Sequence, residues 1–207
     1  MTNYVAFLRG INVGGKRLIK MEDLRRVVES LGLKNVRTFI ASGNLLFETS
    51  QTNRDALARK IEKKLLTAFG HDVPVVLQTI DELKDLLRTG PFKKIKPGAD
   101  EMLCVTLLVA EPKGGPKLPF QSATENLDVL AIKNCAAFIL CRRKKNGMFS
   151  FPNNFFEKEF GVTATTRQWN TIVRIVAFAE EEGRPGVPRR AARPGRSGAG
   201  GRKINGQ

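Results

Sequence analysis

The order of strand and helix patterns over the first eighty residues constrains the fold more than any other feature of this sequence. A short apolar run at residues 4–8 and strand-like segments at 36–40, 45–48 and 74–78 predict four strands. Between them, apolar residues recur every three or four positions at 21–31 and 57–69, which predicts two amphipathic helices. The order is therefore βαββαβ, the pattern of a ferredoxin-like unit.

Turn and capping residues mark where these elements begin and end. Gly32 is well placed to end the first helix, because glycine readily adopts the left-handed conformation that closes many helices. Residues 41–44 (ASGN) predict a hairpin turn between the second and third strands. Residues 52–55 (TNRD) and 79–82 (TIDE) match a capping box, so each predicts the start of a helix.

The second half repeats part of this element order after a Pro/Lys-rich bridge at residues 91–98. A strand pattern at 102–109 is followed by an ambiguous segment, 116–126, in which a short helix is one possibility. A hairpin turning at Asn134-Cys135 comes next, and a helix, a strand and a final helix are predicted at 154–160, 162–167 and 170–181.

We therefore predict an α+β protein of two ferredoxin-like subdomains with antiparallel or mixed sheets, residues 1–90 and 99–182. Residues 183–207 contain mainly Pro, Gly, Arg, Ser and Ala, so we expect a disordered basic tail. Seven of the 35 Lys and Arg residues lie in this tail and no Asp or Glu does, which assigns it +7 of the formal net charge of +15. The tail either attracts nucleic acid or is an idle solubilising extension.

Three loops should meet at one end of the predicted N-terminal sheet: residues 9–16, 42–44 and 70–72. Glycines there allow a ligand to approach the backbone, and successive N–H groups can cradle an anion, although turns alone also require glycine. We call this surface the loop edge. Its candidate ligand-binding residues are Arg9, Gly10, Asn12, Gly14, Gly15, Lys16, Ser42, Gly43 and Asn44, with His71 beside them.

Part of the loop edge can be compared with a phosphate-binding P-loop. Residues 10–16 fit the G-x-x-x-x-G-K portion of that motif and follow a strand. The next residue should be the Ser or Thr that binds the metal, but it is Arg17, and the helix begins near Met21. The sequence therefore argues against a nucleoside triphosphatase and leaves a looser phosphate-binding role for the loop.

A second polar run, residues 165–171 (TTRQWNT), contains the only tryptophan of the chain. Trp169 beside Arg167 suits stacking on a base or forming the wall of a ligand site. In the other interpretation, Trp169 anchors the core and Asn170 or Thr171 caps the final helix. Arg167, Trp169 and Asn170 are therefore the second group of candidate ligand-binding residues.

Several chemistries are disfavoured by residue types alone. His71 is the sole histidine, which excludes a multi-histidine metal site, and no cofactor motif is present, so we expect no cofactor. The three cysteines have no paired spacing and lie in apolar runs, so we expect free, buried thiols. No signal-peptide pattern or long apolar run is found, so we expect no membrane partner and a cytoplasmic location.

Three runs resemble the signature motifs of a bacterial family, domain of unknown function 1697 (DUF1697). They are residues 4–16 (YVAFLRGINVGGK), residues 37–44 (RTFIASGN), and residues 165–171, where the family pattern has Asn in place of Gln168. The resemblance covers about residues 1–180 and leaves the tail outside. It implies a single α/β body of two ferredoxin-like parts, with no established activity.

The leading functional hypothesis is a binding module for nucleic acid or another phosphate-bearing ligand, such as a phosphorylated small molecule. The loop edge, from Arg9 to Lys16, would contact phosphate, and the tail would add non-specific attraction. An alternative is an enzyme acting on a small anionic metabolite at the same edge. A third possibility is a scaffold protein with no ligand there.

Overall fold

Two antiparallel sheets and five α-helices form the part of the chain that the computed structural model describes, residues 1–13, 15, 18–149 and 152–181. The mixed α+β class predicted from the sequence is confirmed. The predicted tail, residues 183–207, lies outside the described residues. No helix of the described ranges combines the length and hydrophobicity that a membrane span requires.

The N-terminal sheet is formed by four strands in the order β2-β3-β1-β4. All neighbouring pairs in it are antiparallel. The expected strand and helix order is found in this half, because its strands are short runs bounded by turn residues and its helices repeat apolar residues every three or four positions. Its elements are β1 (Thr2–Leu8), α1 (Met21–Glu29), β2 (Lys34–Phe39), β3 (Asn44–Thr49), α2 (Arg54–Phe69) and β4 (Val75–Thr79).

The C-terminal sheet has five strands in the order β6-β7-β8-β5-β9. A helix, α3 (Ile80–Thr89), and a 3₁₀ turn (Pro91–Lys94) lead into it from β4. The remaining elements are β5 (Glu101–Leu108), β6 (Phe120–Ser122), β7 (Leu127–Lys133), β8 (Ala136–Arg142), α4 (Asn153–Phe160), β9 (Ala164–Gln168) and α5 (Trp169–Glu181).

The C-terminal half does not have the predicted βαββαβ order, because a short strand takes the place of a helix between β5 and β7. Residues 116–126 contain two prolines, Pro116 and Pro119, which cannot donate backbone hydrogen bonds to a helix. The three residues of β6 pair with β7, and Phe120 stacks on Phe155 of α4 at a centroid distance of 6.0 Å. A strand this short shows no periodicity that a sequence pattern could reveal.

Turn and capping residues act only partly as predicted. The β7–β8 hairpin turns at Asn134 and Cys135, which both have positive φ angles, as a type I′ turn requires. The capping box predicted at residues 52–55 is wrong: Asn53, not Thr52, caps α2 by accepting a hydrogen bond from the Ala56 N–H group. Thr79 and Glu82 form a complete capping box at the start of α3.

Loss of this capping box should destabilise the protein measurably. Thr79→Ala removes the hydroxyl that accepts the Glu82 N–H group, so we expect a loss of about 1 kcal/mol in the free energy of unfolding. Urea denaturation followed by circular dichroism measures it. Thr52→Ala is the matched control, since exposed Thr52 makes no hydrogen bond with the described chain; an equal loss there would contradict the capping argument.

Three hydrophobic clusters bury both faces of each sheet. One face of the N-terminal sheet, including Tyr4, Ala6 and Leu8, packs against α1 and α2. The other face, including Val5 and Phe7, joins a central cluster with α3, α5 and the inner face of the C-terminal sheet. The outer face of the C-terminal sheet packs against α4. The two halves therefore share a core, and the predicted boundary at residues 91–98 falls between α3 and β5.

The cysteines are free, as expected, and Cys104 and Cys141 are buried, whereas Cys135 is half-buried. A hydrogen bond with the Cys141 thiol, together with burial, raises the pKa of Cys104 well above its ordinary value. Cys104 is therefore a protonated thiol at neutral pH, which is not the state that attacks electrophiles or binds metals.

Candidate functional site

Arg167 lies at the centre of the contact between the two sheets. It is buried on β9, and its side chain crosses to the end of the N-terminal sheet. Its Nε donates to Asn44 Oδ1 at 2.7 Å. Its Nη2 donates to the carbonyl oxygens of Leu8, Ser42 and Gly43 at 2.8, 3.1 and 3.2 Å. One side chain of the third motif thus binds residues of the first two.

The charge of Arg167 is surrounded by neutral oxygens. Its Nη1 donates to Thr165 Oγ1 and to the Thr166 carbonyl, both at 2.9 Å. No carboxylate of the described residues contacts the guanidinium, which lies 5.5 Å from the Phe7 ring centroid. Burial lowers the pKa of Arg167 to about 10, so the group stays charged at neutral pH. Arg167 is therefore a buried cation stabilised by peptide and side-chain dipoles.

The loop after β1 is fixed by Asn12. Its Nδ2 donates to the carbonyls of Ile19 and Ala41 at 3.0 and 2.9 Å, and its Oδ1 accepts the Ile19 N–H group at 2.7 Å. Ile11 packs directly against Gly43, whose carbonyl also accepts the Leu8 N–H group at 2.8 Å. The loop is therefore held against the β2–β3 turn by backbone and side-chain contacts.

Arg9 connects the loop edge to the C-terminal half. Its Nη1 donates to Glu157 of α4, and its Nη2 donates to Asn154 Oδ1 at 2.8 Å. Glu157 neutralises the charge of Arg9, and both side chains are partly buried. Arg9 is therefore already engaged in an ion pair within the protein.

Most residues predicted at the loop edge thus lie together and contact each other. Ser42 Oγ accepts a hydrogen bond from Asn44 Nδ2 at 3.1 Å. Gly10 and Gly15 are exposed and have positive φ angles. Gly14 and Lys16 lie outside the described residues. His71 contacts the Phe69 carbonyl through Nδ1 at 3.0 Å and makes no described hydrogen bond to the loop edge.

The second predicted group divides between two places. Arg167 belongs to the loop edge, whereas Trp169 and Asn170 line a separate shallow groove, which we call the Trp169 groove. The groove has a volume of about 270 Å³. Its lining residues are Pro97, Glu101, Met102, Leu103, Gln168, Trp169 and Asn170.

The indole of Trp169 is held by aromatic contacts on its core side. Phe92 meets it edge-on at a centroid distance of 5.0 Å, and Phe138 lies at 6.0 Å. Gly90 lies so close that a Cβ atom there would be 3.1 Å from the indole Cη2 atom. The ring is therefore fixed in orientation while it also lines the groove.

Three lysines follow the segment that supports this indole. Lys93, Lys94 and Lys96 lie between Phe92, which touches Trp169, and Pro97, which lines the groove. All three are exposed, and none forms an ion pair with another described residue. Their charge is therefore available to a ligand.

Glu101, which lines the groove, and its neighbour Asp100 are both paired with arginines. Glu101 Oε1 lies 3.6 Å from Arg142 Nε, and its Oε2 accepts the Gly98 N–H group at 3.0 Å. Asp100 Oδ1 lies 3.0 Å from Arg143 Nε. Arg142 also holds Asp128, and its hydrogen bond lowers the pKa of that carboxyl. These carboxylates are therefore paired, whereas the three lysines have no ion-pair partner among the described residues.

Comparison with known proteins places the fold in a family. The model of the family described as "Protein of unknown function (DUF1697)" matches residues 1–138, two thirds of the chain. The chain belongs to the DUF1697 family. A comparison with curated proteins returned no match. Arg167 and Trp169 lie beyond the matched residues, whereas the Arg167 partners Leu8, Ser42, Gly43 and Asn44 lie within them.

A solved structure shares the fold of this DUF1697 chain. The conserved bacterial protein SP0830 from Streptococcus pneumoniae superposes with a TM-score of 0.56 at 20% sequence identity. The match covers 85% of this chain and 97% of that protein. At this identity the likeness establishes the fold alone.

No three His, Cys, Asp or Glu side chains of the DUF1697 chain are grouped to hold a metal ion within the described residues. The sequence patterns did not indicate Pro97, Met102 or Leu103 as groove residues. The Pro/Lys-rich bridge was a signal for the lysines that precede Pro97. The sequence drew attention to Gln168 only because the family motif has Asn at that position.

Proposed function

We propose that this DUF1697 protein is a nucleic-acid-binding module whose principal contact surface is the Trp169 groove with its adjacent lysines. The observation that carries the proposal is the juxtaposition of an indole that lines an open groove with three exposed lysines that have no partner among the described residues. Lysines neutralise backbone phosphates, and an aromatic ring stacks on bases of any sequence.

The open shape of the groove favours a polymer over an enclosed metabolite. Small-molecule sites are clefts of roughly 300–1,000 Å³ that surround most of the ligand. The Trp169 groove, at about 270 Å³, is shallow and open to solvent, so it does not enclose a ligand. It suits one planar ring whose attached chain continues outside the groove, over the lysines.

The fold also excludes one common mode of RNA binding. The strand order and antiparallel pairing of the N-terminal half support the proposal that it is a ferredoxin-like unit. RNA-recognition domains with a comparable four-stranded sheet stack bases on aromatic residues of the open sheet face. Here Val5, Phe7, Leu46 and Val76 on that face are buried in the central cluster. Nucleic acid must therefore bind elsewhere on this protein.

The loop edge is a secondary candidate for phosphate contact. Arg9 pairs with Glu157, and the hydrogen-bonding groups of Arg167 are turned towards protein oxygens, so Lys16 is the remaining predicted cation. The alternative of an enzyme acting on a small anionic metabolite at this edge gains no support from these contacts. A cytoplasmic location remains part of the proposal.

Removal of the three lysines should weaken nucleic-acid binding and reduce its salt dependence. Lys93→Ala/Lys94→Ala/Lys96→Ala in the full chain removes up to three phosphate contacts. For a labelled single strand, the slope of log K against log salt should become shallower by about 2, and affinity at low salt should fall about tenfold or more. Fluorescence anisotropy over a salt series measures both.

Two further full-length variants complete this experiment. Lys113→Ala/Lys117→Ala/Lys133→Ala removes the same charge from exposed lysines remote from the groove: Lys133 lies at the Leu107 end of the C-terminal sheet, and the groove lies at the Met102 end. The second variant places Gln at the seven tail cations. If it abolishes binding while the groove variant binds like the wild type, the groove is not the site. The tail cations are Arg184, Arg189, Arg190, Arg193, Arg196, Arg202 and Lys203.

A further inference from the structure

We infer that the Trp169 groove selects single-stranded nucleic acid over duplex by stacking one unpaired base on Trp169, with the amides of Gln168 and Asn170 at the base edge. This inference rests on the proposed function and specifies its ligand. It follows from the shape of the groove, the fixed position of the indole and the unused polar groups beside it.

The groove is concave, and the indole of Trp169 forms part of its lining. Trp169 lies where β9 meets α5, with Pro97 and Met102 among the other lining residues. In a duplex, base faces are covered by their stacked neighbours, and proteins read base edges with an element that enters the major groove. The Trp169 groove instead receives a ring from the ligand and has no helix or strand that enters a groove of the DNA. Only an unstacked base can supply that ring.

The indole is held in a fixed position. Phe92 and Phe138 contact it from the core, and Gly90 closes one side of the ring. A side chain held in place loses little conformational entropy when a ligand binds, so more of the stacking energy appears as affinity. Stacking of a base on an aromatic side chain contributes binding free energy that depends little on which base is stacked.

Two amide side chains flank the indole and are free to bind a base. Gln168 and Asn170 are exposed, line the groove, and their side chains make no hydrogen bond with the described chain. Each amide offers a donor and an acceptor, which is the combination that base edges present. In contrast, Asn12, Asn44, Asn53 and Asn154 are engaged in protein hydrogen bonds.

The charges around the groove determine where the backbone of the strand runs. Glu101 and Asp100 are paired with Arg142 and Arg143, so their negative charge is largely neutralised. Lys93, Lys94 and Lys96 precede the lining residue Pro97 in sequence and are exposed. A strand whose base enters the groove therefore places its neighbouring phosphates along the lysines.

The single tryptophan makes this inference directly testable by intrinsic fluorescence. The full chain is titrated with oligothymidylate of about ten nucleotides, within the site sizes of single-strand binders, and with a duplex of equal length. We expect the single strand to cause a saturable loss of Trp169 emission and the duplex to cause none. We also expect Trp169→Leu to weaken single-strand affinity about tenfold, measured by anisotropy.

A second variant keeps the test valid if Trp169→Leu fails to fold. Gln168→Ala/Asn170→Ala changes only exposed side chains and should weaken binding severalfold with the fold unchanged. Binding without quenching, or equal quenching by duplex, would overturn the stacking inference and leave the proposed function intact. Equal quenching by thymidine monophosphate would identify a small-molecule site and overturn the polymer ligand. Absence of any binding would overturn the proposed function itself.

Discussion

Replacing Arg167 by methionine should lower the free energy of unfolding by about 3 kcal/mol. The substitution leaves Asn44 Oδ1 and the Leu8 and Ser42 carbonyls without the donor that binds them in a buried site. Each unsatisfied buried polar group costs about 1–3 kcal/mol, and relief of guanidinium desolvation offsets part of the sum. Urea denaturation of the full chain measures the difference.

Arg59→Met is the matched control for this substitution. Arg59 is an exposed residue of α2 with no described partner, and methionine is as good a helix former as arginine, so the change should stay within about 0.5 kcal/mol. Arg167→Lys should recover only part of the loss, since a single ammonium cannot reach all the acceptors that lie around the edge of the planar guanidinium. If Arg167→Met is as stable as the wild type, Arg167 does not hold the two halves together.

The N-terminal half could be predicted because its elements are long and its turns carry strong signals. In β1, Tyr4, Ala6 and Leu8 alternate with Val5 and Phe7, and both sets are buried, which gives a continuous apolar run. The helical repeat Leu57, Ile61, Leu65 marks the buried face of α2. The C-terminal half failed at residues 116–126, where three strand residues between turns leave no measurable period.

The site was only partly predictable, because its decisive contacts join residues far apart in sequence. The three motifs pointed to the loop edge, yet no local pattern shows that Arg167 reaches the Leu8 carbonyl, 159 positions away. The same holds for the Trp169 groove, in which Pro97 and Met102 come from the start of the C-terminal half and Trp169 from its end. Some of the polar residues that the sequence suggested as ligand-binding residues, such as Arg9 and Arg167, instead form hydrogen bonds that connect the two halves.

Gly43→Ala should cost about 3 kcal/mol in the free energy of unfolding. Gly43 is buried and has a φ angle of +77°, and a Cβ atom there would lie 2.7 Å from Ile11 Cδ1 and 3.0 Å from Leu8 Cβ. The left-handed backbone costs alanine about 1 kcal/mol or slightly more, and overpacking adds about 1–3 kcal/mol. Gly32→Ala is the control, since Gly32 has nearly the same φ angle, +78°, with no atom within 4 Å of the added Cβ.

The difference between these two alanine variants isolates the steric contact of Gly43 from its backbone conformation. Equal costs would mean that Ile11 moves aside without penalty, and the packing argument would be wrong. The double variant Gly43→Ala/Arg167→Met connects this contact to the first prediction. The added Cβ would press on Ile11 and Leu8, and the Leu8 and Gly43 carbonyls are acceptors of Arg167. The loss in the double variant should therefore be smaller than the sum of the two single losses. Strict additivity would show that the turn and the buried cation act independently.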